Sequence, residues 1–281
     1  MSSRDSNHKT VIVKIGNPYL LKNERKILSE FKGHTSIRQM LDEIEQPQSL
    51  VLSYLDGDLP SLSDHTQLEQ SNFKHVSKEI LKALISMHEK GLIHTDIKPN
   101  NILVNFDSDK RHFTKVELAD CRDGVHRDSA KDFQKHVIGT PIYRSPEALC
   151  RLPWDCSTGI WSFGAVLIHM IYGKGWNIFC FCTCTDPNNP ICRVEVLQRI
   201  DKYFGPFPLR YQEFADDDTL DLLTWIMSWT TLKGGMTPFT NTSSTEITKE
   251  DRAFVCKIMK IDPKERPTAK ELLLGEWFNI E

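Results

Sequence analysis

The chain has 281 residues, 40% hydrophobic and 26% charged, with a net charge of −3 and a pI of about 6.4. That balance suits one large domain or two unequal lobes, and it excludes wholesale disorder, collagen-like repeats and coiled coil. Nothing in the charge points to nucleic acid or an anionic membrane as a partner.

Taken in chain order, Thr10–Ile15 is a β-branched run that predicts a strand. Pro18 opens a predicted helix over Tyr19–Phe31, whose apolar stripe is Leu20, Leu21, Ile27, Leu28 and Phe31. Strands are predicted over Ile37–Ile44 and Leu50–Leu55, separated by Gln46-Pro47-Gln48, and Asp56-Gly57-Asp58 marks a turn. The clearest helix covers Phe73–Lys90, with Phe73, Val76, Ile80, Leu84 and Met87 at helical spacing and Gly91 as its stop. Two short strands, Asn101–Asn105 and Lys115–Asp120, follow a loop. Ser157–Ile171 is apolar nearly all round and predicts a buried helix. Further helices are predicted over Ile191–Phe204, Thr219–Trp229, Lys249–Ile261 and Thr268–Phe278, with a Ser/Thr-rich loop over Thr237–Thr248. A small sheet with one helix, followed by a helical body, predicts an α+β protein of two lobes.

The longest apolar run, residues 163–171, is too short to span a bilayer, and the polar N-terminus shows no secretory signal. A cytoplasmic or nuclear location is expected. The eight cysteines should then be mostly free thiols. Cys180, Cys182, Cys184 and Cys192 cluster, but their spacing lacks the two-residue gap of structural zinc sites, so unpaired thiols in a loop are expected.

Residues Ile93–Val104 carry the chemistry. Asp96, Lys98 and Asn101 fall within six residues in a polar loop between a helix and a strand. There a carboxylate can orient a hydroxyl, an ammonium can neutralise a transferring phosphate, and an amide oxygen can bind a metal. This loop resembles the protein-kinase catalytic loop H-R-D-x-K-x-x-N, and other kinase signatures follow in order. Asp120 resembles the magnesium-binding Asp of D-F-G. Residues 139–147 resemble the end of an activation segment and its A-P-E motif, and residues 160–164 resemble the buried helix of the large lobe. Lys14 in V-I-V-K resembles the strand lysine and Glu24 its helix partner, while Arg266 stands where kinases staple the A-P-E glutamate, here Glu147.

The resemblance implies a bilobal kinase-like fold: a small β lobe over 1–55, and a mainly helical large lobe over 56–281 with an insertion around 205–248. It implies ATP and Mg²⁺ as cofactors. Asp96 and Lys98 are then catalytic, and Asn101 and Asp120 are metal ligands. Lys14 and Glu24 anchor phosphates. Leu52 is the gatekeeper, Ser53, Tyr54 and Leu55 offer backbone hydrogen bonds to adenine, and Leu103 is a further cofactor-binding residue. Leu28 and His94 belong to the core column between the lobes. Lys98 with Thr140 is similar to the Ser/Thr-directed pattern. Arg144 before Ser-Pro-Glu resembles the cyclin-dependent and MAP-kinase-like group, and His-Thr-Asp-Ile-Lys-Pro resembles the SR-protein kinases within it. A protein substrate is implied, Arg/Ser-rich on the last resemblance, with Asp216-Asp217-Asp218 either docking it or capping a helix.

Several positions depart from the pattern. Only 13 residues precede Lys14, and Met1–Lys9 holds no glycine. Two strands and a Gly-rich loop need roughly 20 residues or more, so an incomplete small lobe, truncated and lacking its Gly-rich lid, is expected, with a partner covering the open sheet. Ile12 stands where kinases place Ala against the base. Arg122 replaces the Gly of D-F-G and can compete with magnesium for Asp120. Gly159 replaces an Asp that holds the catalytic loop, and Thr95 replaces an Arg that reads a loop phosphate, leaving Ser129 or Thr140 without a local cation. The expected function is an ATP-dependent Ser/Thr protein kinase, with a pseudokinase scaffold as the alternative.

Overall fold

The computed structural model describes residues 2–4, 9–63, 68–109, 111–130, 137–180 and 189–279. Its small sheet is antiparallel and four-stranded, in the order β1-β2-β4-β3: β1 is Ser2–Arg4, β2 Thr10–Ile15, β3 Met40–Ile44 and β4 Ser49–Ser53. β1 adds a strand to those that the sequence predicts, pairing Ser2 with Ile12 and Arg4 with Thr10. The predicted strand from Ile37 starts only at Met40, because the residues before it serve another element. Ile37 bridges in parallel to Leu118, and Arg38 N–H donates to the Leu118 carbonyl at 2.9 Å.

Helix α1, Pro18–Ser29, packs beneath this sheet. Asn17 caps it by accepting from Tyr19 N–H, and Pro18 at the first position suits the helical φ. Its buried face is Leu21, Glu24, Ile27 and Leu28, so the helical repeat sets one carboxylate among apolar neighbours.

The rest is helical around a few short strands. The hairpin of β7 (Ile102–Asp107) and β8 (His112–Leu118) pairs with β5 (Gly57–Asp58), and β6 (Leu92–Ile93) pairs with β9 (Val125–His126). After the short α2, Leu59–Ser63, the long α3 covers Gln70–Glu89. Then come α4 (Pro146–Leu149), α5 (Ser157–Tyr172), α6 (Pro190–Phe204), α7 (Asp217–Trp229), α8 (Lys249–Ile258) and α9 (Ala269–Leu273). α5 is buried from Thr158 to Ile171, as its all-round apolarity predicts. Gly164 lets α8 approach it: a Cβ there would lie 2.4 Å from Met259 Sδ and 2.7 Å from Ile258 Cγ2. One core cluster joins Leu21, Leu28 and Leu52 of the small lobe to Leu84, Trp161 and Phe163 of the helical body.

Two expectations are corrected. The helix predicted over Thr268–Phe278 ends at Leu273, and a 3-10 turn follows at Glu276–Asn279. Trp277 turns there to stack on Phe254, centroids 4.1 Å apart, and to donate Nε1–H to Asp251 at 2.8 Å. Cys192 is disulfide-bonded rather than a free thiol. Cys180 is exposed, whereas Cys182 and Cys184 lie outside the described residues.

Candidate active site

The loop after β6 is held from beneath by buried groups. His94, 1% exposed, binds the Ala119 carbonyl through Nε2 at 3.0 Å. Thr95 takes a left-handed φ of 55° and donates its hydroxyl to the Asp123 carbonyl at 2.8 Å. Asp96 beside them is itself largely buried, with fixed donors around it. Its Oδ1 accepts the Thr140 hydroxyl at 2.9 Å, and its Oδ2 accepts Asn101 Nδ2 at 3.2 Å and lies 2.8 Å from Lys98 Nζ. Lys98 also donates to Thr140 Oγ1 at 3.1 Å, closing a triangle. Burial alone would raise the Asp96 carboxyl, but the hydrogen bond and charge of Lys98 and the Thr140 hydroxyl outweigh it and hold it below the usual carboxylate range.

Thr140 reaches Asp96 because Gly139 takes a φ of 62° directly against the loop. A Cβ there would sit 2.4 Å from the Thr95 carbonyl oxygen. Sequence reasoning pairs Thr140 with Lys98 only by resemblance; the contact itself spans 42 residues and has no local signal.

A second cluster lies between β2, α1 and the end of β8. Lys14 Nζ is 2.7 Å from Glu24 Oε2 and donates to Asp120 Oδ1 at 2.6 Å. Burial pushes the Glu24 carboxyl up, with Lys14 opposing and Asp120 adding to the rise. Asp120 sits in the left-handed region, φ 63° and ψ 57°. Arg122 Nε is 3.5 Å from Asp120 Oδ1 and 3.3 Å from Asp123 Oδ2, so the cation that replaces glycine does lie against the carboxylate. Asn23 of α1 ties the segment down, donating to the Arg122 and Gly124 carbonyls at 2.8 and 3.0 Å.

Between the sheet and the loop lies a cavity of about 470 Å³, lined by Ile12, Lys14, Arg38, Asn101, Leu103 and Asp120 among others. Of the predicted cofactor residues, Lys14, Asn101, Leu103 and Asp120 share it, and Glu24 joins through Lys14. Leu52 and Leu55 are buried in the core and Tyr54 is 41% exposed; none of the three lines the cavity. Arg38 is a lining residue that sequence reasoning misses, because a lone Arg within a short predicted strand reads as a surface charge. Its Nε and Nη2 donate to the Ser53 carbonyl at 3.1 and 2.9 Å. Ser53 is thus no open acceptor, which corrects the expectation for that residue. Burial draws the Arg38 pKa down while the charges of Glu24, Glu117 and Asp120 hold it up.

The donor set suits the expected ligands. Asn101 spends Nδ2 on Asp96 and leaves Oδ1 without a partner among the described residues, beside a second oxygen ligand in Asp120. Such oxygens match a hard divalent cation, and Lys14 supplies the cation a polyphosphate requires. Among the described residues, no ready-made group of three metal-binding side chains is present.

Beneath the loop, the Gly159 departure leaves a trace. A Cβ there would lie 3.7 Å from His88 Nε2, and His88 Nε2 and His94 Nδ1 are both buried without a hydrogen-bond partner among the described residues. Burial lowers His88 to about 4. Glu147 and Arg266 form a fully buried bidentate pair, both contacts at 2.7 Å. In front of α1, a cavity of about 650 Å³ holds Thr95 and Ser129 together with Lys26, Arg122 and His126. Cations therefore do line the space that Thr95 was expected to leave without one. Asp216 caps α7 by accepting from Thr219 N–H at 2.9 Å, which favours the capping role over docking.

Comparison with known proteins agrees with this architecture. The protein kinase domain family profile matches residues 7–278. CTD kinase subunit alpha of Schizosaccharomyces pombe is 29% identical over 274 residues, covering 95% of this chain and 42% of that protein. The serine/threonine-protein kinase PAK mbt of Drosophila melanogaster is 33% identical over 126 residues, 44% of this chain and 19% of the relative. Human serine/threonine-protein kinase PAK 4 is 30% identical over 158 residues, 55% of this chain and 26% of the relative. The chain thus spans less than half the length of these curated relatives. A chain in the crystal structure of the yeast RNA Pol II CTD kinase CTDK-1 complex superposes with a TM-score of 0.75 at 20% identity, covering 100% of this chain and 89% of that one.

Proposed function

We propose, since the chain belongs to the protein kinase domain family, that it moves the γ-phosphate of a nucleoside triphosphate, ATP by family, onto Ser or Thr hydroxyls of a protein. The observation that carries this reading is the closed triangle of Asp96, Lys98 and Thr140 beside the Lys14–Glu24–Asp120 cluster.

Asp96 accepts the proton side of an incoming hydroxyl, as it already does for Thr140, and aligns the oxygen for attack. Lys98 balances negative charge building on the transferred group. Lys14, fixed by Glu24, holds the α- and β-phosphates. Asn101 Oδ1 and Asp120 would hold Mg²⁺, which when bound neutralises charge on the phosphate oxygens. Tyr54 and Leu55 border the base end only by resemblance.

The substrate is a protein; the Arg/Ser-rich class rests on the SR-protein-kinase resemblance alone. A partner on the small lobe is supported by exposed Tyr19, Leu41 and Ile44 and by relatives that are named as a kinase subunit or solved within a complex. Among the described residues, no helix is long and apolar enough to cross a membrane. The test is to offer labelled nucleoside triphosphate and Mg²⁺ with peptide pools carrying Ser, Thr or Tyr. Label on Ser and Thr only is the expected result. No label from a folded, nucleotide-binding sample would replace the reading with the scaffold alternative.

A further inference from the structure

The nucleotide cavity carries a built-in guanidinium at its base end. Arg38 lines it together with Ile12 above and Leu103 below, and spends Nε and Nη2 on the Ser53 carbonyl. Ser53 has little left to offer: its N–H donates to the Gln39 carbonyl at 2.9 Å and its hydroxyl to Glu117 Oε2 at 3.2 Å. Arginine has five N–H donors and no acceptor, and the Nη1 pair has no hydrogen-bond partner among the described residues.

We propose that Arg38 sets the base preference of this site, disfavouring 6-aminopurines and favouring 6-oxopurines. This rests on the nucleotide-binding reading above and deepens it. Adenine presents a 6-amino donor, which would meet the donors of Arg38 and find the Ser53 carbonyl already taken. Two donors facing each other leave both unsatisfied once a bound base excludes water, the costly outcome for a desolvated polar group. A 6-oxopurine presents O6 and N7 as acceptors on that edge. Arginine to O6 and N7 of guanine is the commonest specific contact of this kind in nucleic-acid recognition, for the same geometric reason.

The experiment is calorimetric titration of the whole chain with ATP, ITP and GTP in Mg²⁺. ITP differs from ATP only at the purine N1–C6 edge, so the key comparison needs no mutation. ITP binding about tenfold or more tightly than ATP is the expected result, a difference of about 1.4 kcal/mol, and Arg38→Val should bring the ratio to one or invert it. ATP binding as tightly as ITP would overturn the proposal and leave the nucleotide-site reading standing. An ITP preference that survives in folded Arg38→Val would also overturn it. Binding of no nucleotide by either form would remove the nucleotide-site reading itself, and the proposal with it.

Discussion

Both carboxylate oxygens of Asp96 are occupied by donors, and the nearest of these, Thr140 and Lys98, also bind each other. At Asp120 the neighbours are instead two cations, Lys14 at 2.6 Å and Arg122 at 3.5 Å. Arg122 is 43% exposed on its side chain, so its hold on Asp120 is partly screened and of the size of a surface pair. Arg122→Gln should therefore tighten Mg²⁺ binding only about two- to fivefold, read as the Mg²⁺ midpoint of nucleotide-dependent thermal stabilisation. An unchanged midpoint would mean that Arg122 does not compete for Asp120. At this scale the sequence is legible where a motif is contiguous: Asp96, Lys98 and Asn101 sit within six residues and meet in space. Arg38 is not legible, because its role depends on a carbonyl 15 residues away across β3 and β4, and nothing local separates it from a solvated charge.

Elements place these residues by burying one face each. α1 turns Glu24 inward on the same stripe as Leu21 and Leu28, and α5 presents Gly159 where a larger polar group would meet His88. His88 belongs to α3 and is half-buried with its Nε2 enclosed, and desolvation lowers its pKa to about 4. The unfolded chain binds its proton near pH 6.5, so between about pH 6.5 and 4 the unfolded state holds more protons and stability falls as the pH falls. The loss across that window is on the order of 3 kcal/mol. His88→Gln should flatten the melting temperature against pH in this range, and Gly159→Asp, which gives the imidazole a carboxylate partner, should do so in part. Superimposable pH profiles for wild type and His88→Gln would contradict this origin. Long periodic elements are read well from the sequence: α3 and α5 differ from expectation only at their ends. α9 is not, because Trp277 leaves the helical path for Phe254 and Asp251, a tertiary preference that periodicity does not register.

Across the whole molecule, one core runs from α1 to α9, and the buried Glu147–Arg266 ion pair ties α4 to the segment before α9. Arg266 places every donor direction: two on Glu147, others on the Lys260, Ile261 and Ser157 carbonyls. Removing one partner strands a charge, so Arg266→Ala should cost about 3–5 kcal/mol, or roughly 10 °C in melting temperature. A drop of under about 3 °C would show the pair to be dispensable. The two-lobed α+β plan and the order of motifs are legible because each motif is short and each helix is long. The extra strand β1 and the Cys192 disulfide are not: Ser2–Arg4 is a three-residue polar run with no alternation to read, and cysteine spacing alone does not fix which thiols pair. The proposed function turns on transfer of phosphate to a hydroxyl at the Asp96 triangle. Single-turnover transfer to a Ser/Thr protein substrate, compared between wild type and Asp96→Asn at equal nucleotide occupancy, tests it most directly. Measurable phosphoserine or phosphothreonine from the wild type and a loss of about 10²–10⁴-fold in the variant are expected; equal rates from the two proteins would remove Asp96 from the transfer step.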